Sequence, residues 1–172
     1  MSQDLYELIK EKYPLLVSDD MRQPFNAFGV ECDKGWHPII LAVLDNIYNK
    51  YKSSENRVAL FKQRISEKKY DDFFTEERVA DVLAKAEKDL KECLETLPKI
   101  EQIKEKFGSL RIYLSQTNDY IDGLVNLAET LSAITCERCG DKGKIYTIGW
   151  HKALCPVHAQ VRYWHGENNN LQ

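Results

Sequence analysis

The chain has 172 residues, 43% of them hydrophobic and 30% charged, and its formal net charge is −3. This composition is typical of a folded globular protein and excludes a largely disordered chain. A mildly acidic chain is not attracted to DNA or to anionic lipid by its overall charge. The charge therefore argues against functions that depend on a polycationic surface.

The sequence predicts neither a membrane span nor secretion. No run of 18 apolar residues is present, and the first residues lack the basic and apolar regions of a secretory signal. We therefore expect a cytoplasmic protein with no membrane partner. The five cysteines are odd in number, which in a reducing compartment argues against a disulfide framework and for metal binding or free thiols.

Hydrophobic periodicity predicts mainly helices before residue 98. Apolar residues recur at helical spacing in four segments, residues 3–13, 36–51, 54–70 and 75–97. Thr75 is placed to cap the fourth segment. The last two segments predict an antiparallel helical hairpin over 54–97, whose charged faces are typical of a solvated support. The alternative role for this hairpin is a contact between the subunits of a homo-oligomer.

Residues 99–115 fit either a helix or a β-hairpin. Their apolar residues recur at steps of three and four, but Gly108 interrupts a helix at a cost of about 1 kcal/mol relative to alanine. We favour a hairpin over 101–115 with a type II′ turn at Gly108–Ser109. Phe107 then belongs to its apolar face, and its other face carries Lys104, Lys106, Arg111 and Tyr113.

The C-terminal part changes in composition. Residues 119–133 predict a further helix, residues 134–165 a zinc ribbon and residues 166–172 a disordered tail. We expect two domains, residues 1–133 and the ribbon. The predicted fold class is α+β, mostly helical, with a small β-hairpin and a C-terminal zinc ribbon.

The strongest motif is a pair of knuckles with metal-ligand spacing. Its pattern is C-x2-C-x15-C-x2-H, formed by Cys136, Cys139, Cys155 and His158. Two residues between ligands allow a tight turn to direct both side chains at one ion, and two such turns build a tetrahedral Cys3His zinc site. Four protein ligands leave no open position for water or substrate, so we expect a structural zinc ion.

Three blocks of sequence carry a resemblance. They are FGVECDKGW (28–36), QIKEKFGSLRIY (102–113) and the knuckle segment with TCERCG, GW and LCPVH. Together they resemble a family of small phage and prophage zinc-ribbon proteins of unassigned function. That family usually has Cys-Gly-Asp-Gly-Trp in the first block, where this chain has Cys32-Asp33-Lys34-Gly35-Trp36. The resemblance implies a phage-borne accessory protein in the cytoplasm of an infected bacterium.

The basic face of the predicted hairpin is a candidate anion site. Arginine can bind phosphate with two hydrogen bonds, lysine acts as a point charge, and tyrosine can stack on a base. The candidate ligand-binding residues are Lys104, Lys106, Arg111 and Tyr113, with Trp36 and Trp150. For the two tryptophans, packing in the core or at its rim is the alternative. For the basic residues, the alternative is a solvated face or ion pairs to acidic helices.

We expect binding rather than catalysis. The sequence has no glycine-rich phosphate loop, no HExxH and no GxSxG motif. The function that we expect is that of a phage accessory protein, of an anti-defence kind, which holds a nucleotide-like anion. One alternative is inhibition of a host protein through the acidic helices at 67–95. Another is an adaptor that binds nucleic acid or a host protein through the ribbon. Its basic residues would be Arg138, Lys142, Lys144 and Lys152.

Overall fold

The computed structural model describes residues 3–147 and 149–167. Its helices are Gln3–Lys12 (α1), Pro24–Phe28 (α2), His37–Ser66 (α3), Glu76–Glu95 (α4), Asp119–Ala133 (α5) and Pro156–Glu167 (α6). Its strands are Val30–Glu31 (β1), Ile100–Lys106 (β2), Ser109–Leu114 (β3), Lys144–Tyr146 (β4) and Lys152–Leu154 (β5). Short 3-10 helices span Pro14–Leu16 and Lys34–Trp36.

The predicted fold class, α+β and mostly helical, is confirmed. Within the described residues, no helix has the length and apolar character needed to cross a membrane. The chain divides into two compact units, of which one is Asp45–Leu97 and the other contains the chain before and after that segment. The predicted boundary at residue 134 is not the division between these units.

A three-stranded sheet lies in the unit that contains the chain ends. Its order is β1-β2-β3, with β1 parallel to β2 and β3 antiparallel to it. The predicted β-hairpin is thus present as β2 and β3. One sheet face contributes to the core of this unit, whose largest fully buried side chains are Ile9, Tyr13, Leu16, Phe25, Val30, Trp36, Ile40, Leu44, Ile100, Ile103 and Leu110.

The turn of this hairpin lies one residue earlier than predicted. Lys106 pairs with Ser109, so the two turn residues are Phe107 and Gly108, with φ of 54° and 81°. Positive φ at both positions is the signature of a type I′ turn, in which glycine occupies the second position rather than the first. Phe107 is consequently exposed instead of lying on the apolar face.

The helices predicted over 36–51 and 54–70 form one continuous helix, α3. No glycine or proline interrupts residues 51–55, and Glu55 accepts hydrogen bonds from Tyr51 Oη (2.7 Å) and Lys52 Nζ (2.8 Å). Pairs three and four residues apart stabilise a helix at such a position. In the Asp45–Leu97 unit, α4 begins after the predicted N-cap Thr75 and is joined to α3 by the ion pairs Arg57–Asp89 and Lys62–Glu87.

The C-terminal segment contains a second, smaller hairpin. Strands β4 and β5 pair antiparallel between the two knuckles, as the sequence predicts. The chain then continues as α6 to Glu167, because Pro156 suits the first turn of a helix. Residues 166–167 are therefore helical rather than part of a tail, and residues 168–172 of the predicted tail lie outside the described residues.

Candidate metal centre and binding face

Four side chains that are predicted metal ligands meet at one point. The ligand atoms of Cys136, Cys139, Cys155 and His158 all lie within 4.8 Å of one another. The Sγ atoms of Cys139 and Cys155 are 3.8 Å apart, and His158 Nδ1 lies 3.4 Å from Cys136 Sγ and 3.2 Å from Cys155 Sγ. The residues are therefore able to hold a metal ion.

Three of the distances between these atoms are close to those of tetrahedral zinc coordination. Bonds of about 2.3 Å to sulfur and about 2.0 Å to nitrogen separate tetrahedral ligands by about 3.8 Å (S–S) and about 3.5 Å (S–N). The Cys139–Cys155 distance equals the first value, and the sulfur–Nδ1 distances of 3.4 and 3.2 Å are close to the second. The donor set fits zinc, and it is Nδ1 of His158 that faces the sulfur atoms.

Backbone N–H groups around the first knuckle favour the thiolate form of its cysteines, which is the form that binds a metal ion. Burial opposes ionisation of the Cys136 thiol, but N–H groups of Cys155, Cys139 and Arg138 donate to its sulfur and lower its pKa to about 7. At Cys139 a backbone N–H of Asp141 favours the thiolate. Desolvation and the side chains of Cys136, Asp141 and Cys155 nevertheless raise the pKa of Cys139 to about 12. A dication among these sulfurs would relieve the repulsion between neighbouring thiolates.

The loop before α3 packs directly on this knuckle. Gly35 donates its N–H to the Glu137 carbonyl oxygen at 2.7 Å. A Cβ on Gly35 would lie 2.2 Å from the Cys136 carbonyl oxygen and 2.6 Å from the Gly140 nitrogen. The Trp36 ring is completely buried and donates its Nε1–H to the Thr135 carbonyl oxygen at 2.9 Å. Only glycine fits at position 35, because a Cβ there would overlap the backbone of the knuckle.

A partly buried network of ion pairs connects the knuckle to the larger hairpin. Lys152 Nζ lies 2.8 Å from Glu137 Oε2 and 3.2 Å from Glu105 Oε2, while Glu105 Oε1 accepts the Gly108 N–H at 2.7 Å. Burial raises the pKa of the Glu137 carboxyl, although the Lys152 ammonium acts in the opposite direction. For Lys152, burial is outweighed by Glu137 and Glu105, which raise the pKa of its ammonium.

The predicted basic face exists, but its members have different surroundings. In the strand register, Lys104 lies opposite Arg111, and Lys106 lies opposite Ser109. The Arg111 guanidinium lies 3.2 Å from the Glu129 carboxylate of α5 and donates to Ser109 Oγ at 2.6 Å. Its charge is therefore balanced by an acid that the sequence did not place on this face.

Lys104 and Tyr113 line an open groove of about 500 Å³. The other residues that line it are Gln23, Pro24, Glu101 and Gln102. The Lys104 ammonium lies 5.4 Å from the centroid of the Tyr113 ring, and 37% of Tyr113 is exposed. Gln102 Nε2 donates to Glu31 Oε2 at 2.7 Å, which holds one wall of the groove in place. The groove thus offers a cation, an aromatic ring, two amide side chains and a carboxylate.

The two tryptophans assigned to the ligand site lie in opposite environments. Trp36 has no exposed surface, so the alternative of core packing is correct for it and it does not line a ligand site. Trp150 is 84% exposed in the turn between β4 and β5. Lys106 lies with its ammonium 5.6 Å from the centroid of Phe107 rather than in the groove. Burial and the charges of Glu137 and Asp33 raise the pKa of the Cys32 thiol to about 12.

Sequence reasoning gave no role to Glu129 or Ser132, and it assigned Lys152 only to a basic surface of the ribbon and not to the ion pairs with Glu137 and Glu105. Ser132 is buried on α5, and its Oγ accepts the Leu110 N–H at 2.8 Å. Together the contacts show that the three blocks that carry the family resemblance pack around the knuckle and the larger hairpin.

No protein-family model matches the chain, and comparison with curated proteins and with solved structures finds no similar protein. The function proposed below therefore depends on the residues of this chain and their contacts.

Proposed function

We propose that this chain is a non-enzymatic binding protein that holds a nucleotide-like anion in the groove beside Lys104 and Tyr113. A structural zinc ion stabilises its C-terminal segment. The observation that carries the binding role is the position of the Lys104 ammonium, 5.4 Å from the ring of Tyr113, in an open groove. A positive charge beside an aromatic surface matches a ligand that contains both a phosphate and a planar base.

Each groove residue has a distinct role in this proposal. Lys104 binds the phosphate as a point charge, and the exposed ring of Tyr113 stacks on the base. The amides of Gln23 and Gln102 donate and accept hydrogen bonds at the base edge, and Glu101 accepts from a sugar hydroxyl or an exocyclic amine. Lys106 adds positive potential from the same sheet face, whereas the charge of Arg111 is balanced by Glu129.

The zinc ion has a structural role in this account. Three cysteines and one histidine fill all four tetrahedral positions, which leaves none for water or substrate. An ion bound by these four residues would hold the turn before β4, the end of β5 and the start of α6 together, and Gly35 packs against the first of these turns. Loss of the ion therefore affects the core as well as the C-terminal segment.

The sequence resemblance adds a biological setting. As part of the proposal, the protein acts in the cytoplasm of an infected bacterium and sequesters a nucleotide signal of the host. A site that binds without catalytic groups is suited to sequestration, because its effect depends on affinity and on the amount of protein.

The experiment is titration calorimetry with nucleoside mono-, di- and triphosphates and cyclic dinucleotides. We expect one of these classes to bind, and Lys104→Glu to raise its Kd at least tenfold. Lys88→Glu, on exposed α4, is the matched control and leaves the Kd unchanged. Arg111→Glu is not a suitable test, because it would leave Glu129 facing a second carboxylate. Absence of binding, or an unchanged Kd in Lys104→Glu, contradicts the proposal.

A further inference from the structure

We propose a second binding surface, separate from the groove, at the adjoining tips of the two hairpins. It consists of Lys106 and Phe107 at the turn between β2 and β3 and of Trp150 and His151 at the turn between β4 and β5. We call it the tip surface. Its ligand is single-stranded nucleic acid, whose unpaired bases stack on the aromatic side chains.

Phe107 is the first observation behind this proposal. It adopts φ of 54°, a left-handed conformation that costs free energy for any side chain and that asparagine or glycine accepts more readily. Its side chain is 67% exposed, so packing recovers little of that cost. Neither turn chemistry nor the core explains a phenylalanine at this position. Strain of this kind at an exposed aromatic residue points to a functional requirement.

The surroundings of Phe107 supply the second observation. The ring of His151 lies 6.2 Å from the Phe107 ring, centroid to centroid, and Trp150 next to it is 84% exposed. The Lys106 ammonium lies 5.6 Å from the Phe107 centroid. The exposed groups at the two turns are therefore two aromatic rings and an ammonium, with the half-buried imidazole of His151 beside them.

Packing and an ion pair hold the turns of the two hairpins next to each other. A Cβ on Gly108 would lie 2.8 Å from Ile145 Cγ2, so the first turn is packed against β4 without spare room. Glu105 accepts the Gly108 N–H and forms an ion pair with Lys152 of β5. A surface that is already ordered loses less conformational entropy when it binds.

Nucleic acid is favoured over a protein by the combination of groups. Each nucleotide of a strand carries one planar base and one phosphate, and the Phe107–Lys106 pair offers one ring and one ammonium. Stacking on aromatic rings tolerates every base, because each base has a π face. A duplex hides those faces within its own stack, so the tip surface prefers single strands.

The test is fluorescence anisotropy with labelled 12-nucleotide oligo-dT and oligo-U, and with a duplex of equal length, at low salt. We expect the single strands to bind at least tenfold more tightly than the duplex, and the affinity to fall as salt rises. Phe107→Asn and Trp150→Ala should each weaken binding at least tenfold. Phe73→Ala, which removes an aromatic residue of similar exposure in the other unit, should leave binding unchanged.

Phe107→Asn separates a binding role from a structural one. Asparagine suits the positive φ, so this variant should unfold at the same or a higher denaturant concentration while it loses the oligonucleotide. It should also keep any mononucleotide binding in the groove, so that the two proposals fail separately. Absence of oligonucleotide binding, or unchanged binding by Phe107→Asn, overturns the proposal.

Discussion

The Gly35 amide donates to the Glu137 carbonyl oxygen at 2.7 Å, although the two residues are about a hundred positions apart in the sequence. This contact places the loop before α3 on the turn that carries Cys136 and Cys139. The buried ring of Trp36 adds a hydrogen bond to Thr135 in the same turn. The candidate metal centre is therefore joined to the N-terminal part of the core and is not an independent appendage.

Gly35→Ala should destabilise the protein. A Cβ at Gly35 would lie 2.2 Å from the Cys136 carbonyl oxygen, and overpacking of this kind costs about 1–3 kcal/mol. Gly123→Ala is the matched control, because a Cβ there meets open space on α5. Alanine in a helix interior should stabilise by up to about 1 kcal/mol. Urea denaturation measures both variants, and equal stability of the two would contradict the packing described.

Metal removal should lower the stability of the protein. A ligand that binds only the folded state contributes about 1.4 kcal/mol for each tenfold excess of free ligand over its Kd. We expect one zinc ion per chain by elemental analysis, and a lower unfolding temperature after treatment with a strong chelator. Cys155→Ser should lose the ion, whereas Cys93→Ser, a change at a cysteine outside the cluster, should retain it. An unfolding temperature that chelation does not change would refute a structural metal.

Ser132→Ala should cost about 1–3 kcal/mol, because it leaves the buried Leu110 N–H without its acceptor. Thr130→Ala on the same helix is the control. Thr130 is exposed and donates only to the Asn126 carbonyl oxygen, so this change should alter stability by less than about 0.5 kcal/mol. Denaturant unfolding followed by circular dichroism measures both. A Ser132→Ala protein as stable as Thr130→Ala would show that the α5 contact to β3 contributes little.

His37 should make the fold less stable in mild acid. Its Nε2 atom is buried and has no hydrogen-bond partner among the residues that the structure describes. Burial lowers the pKa of His37 below 6.5, although Asp33 acts in the opposite direction. Below pH 6.5 the unfolded chain binds a proton at His37 that the folded chain binds less readily. The free energy of unfolding is therefore highest above that pH and decreases below it.

The test for His37 compares the parent protein with His37→Phe at pH 7.5 and pH 5.5. Loss of stability on acidification should be smaller in the variant, which keeps a planar ring without a titrating group. Protonation of the metal ligands affects both proteins equally and cancels in the comparison. An identical pH dependence in both would contradict the assignment.

The sequence predicted those features that depend on local spacing. The knuckle pattern identified four residues whose ligand atoms do converge, because two intervening residues bring both side chains to one side of a tight turn or of the first turn of a helix. The turn at Phe107–Gly108 was placed one residue late, since glycine suits either position of a two-residue hairpin turn. That shift moves the strand pairing by two residues. Because side chains alternate between the two sheet faces, a shift of two leaves each strand residue on its predicted face, and Lys104 and Arg111 still lie on the same one.

Contacts between distant segments could not be predicted in this way. The sequence predicts that Arg111 is available to an anion, but Arg111 forms an ion pair with Glu129 of α5. The hydrophobic periodicity of α5 does not show which strand this helix packs against. Trp36 follows a glycine as Trp150 does, yet one is buried against Thr135 and the other is exposed. The sequence alone does not distinguish these two environments, because they arise from tertiary packing.

The central claim is that this protein binds a nucleotide-like anion and carries a structural zinc ion. Native mass spectrometry of the protein purified from bacteria tests it most directly, followed by denaturation and mass analysis of what is released. The account predicts one zinc ion per chain and a released anion of nucleotide size, which Lys104→Glu no longer retains. A chain that carries zinc but releases no small molecule, and that binds none of the nucleotides offered to it, would contradict the claim.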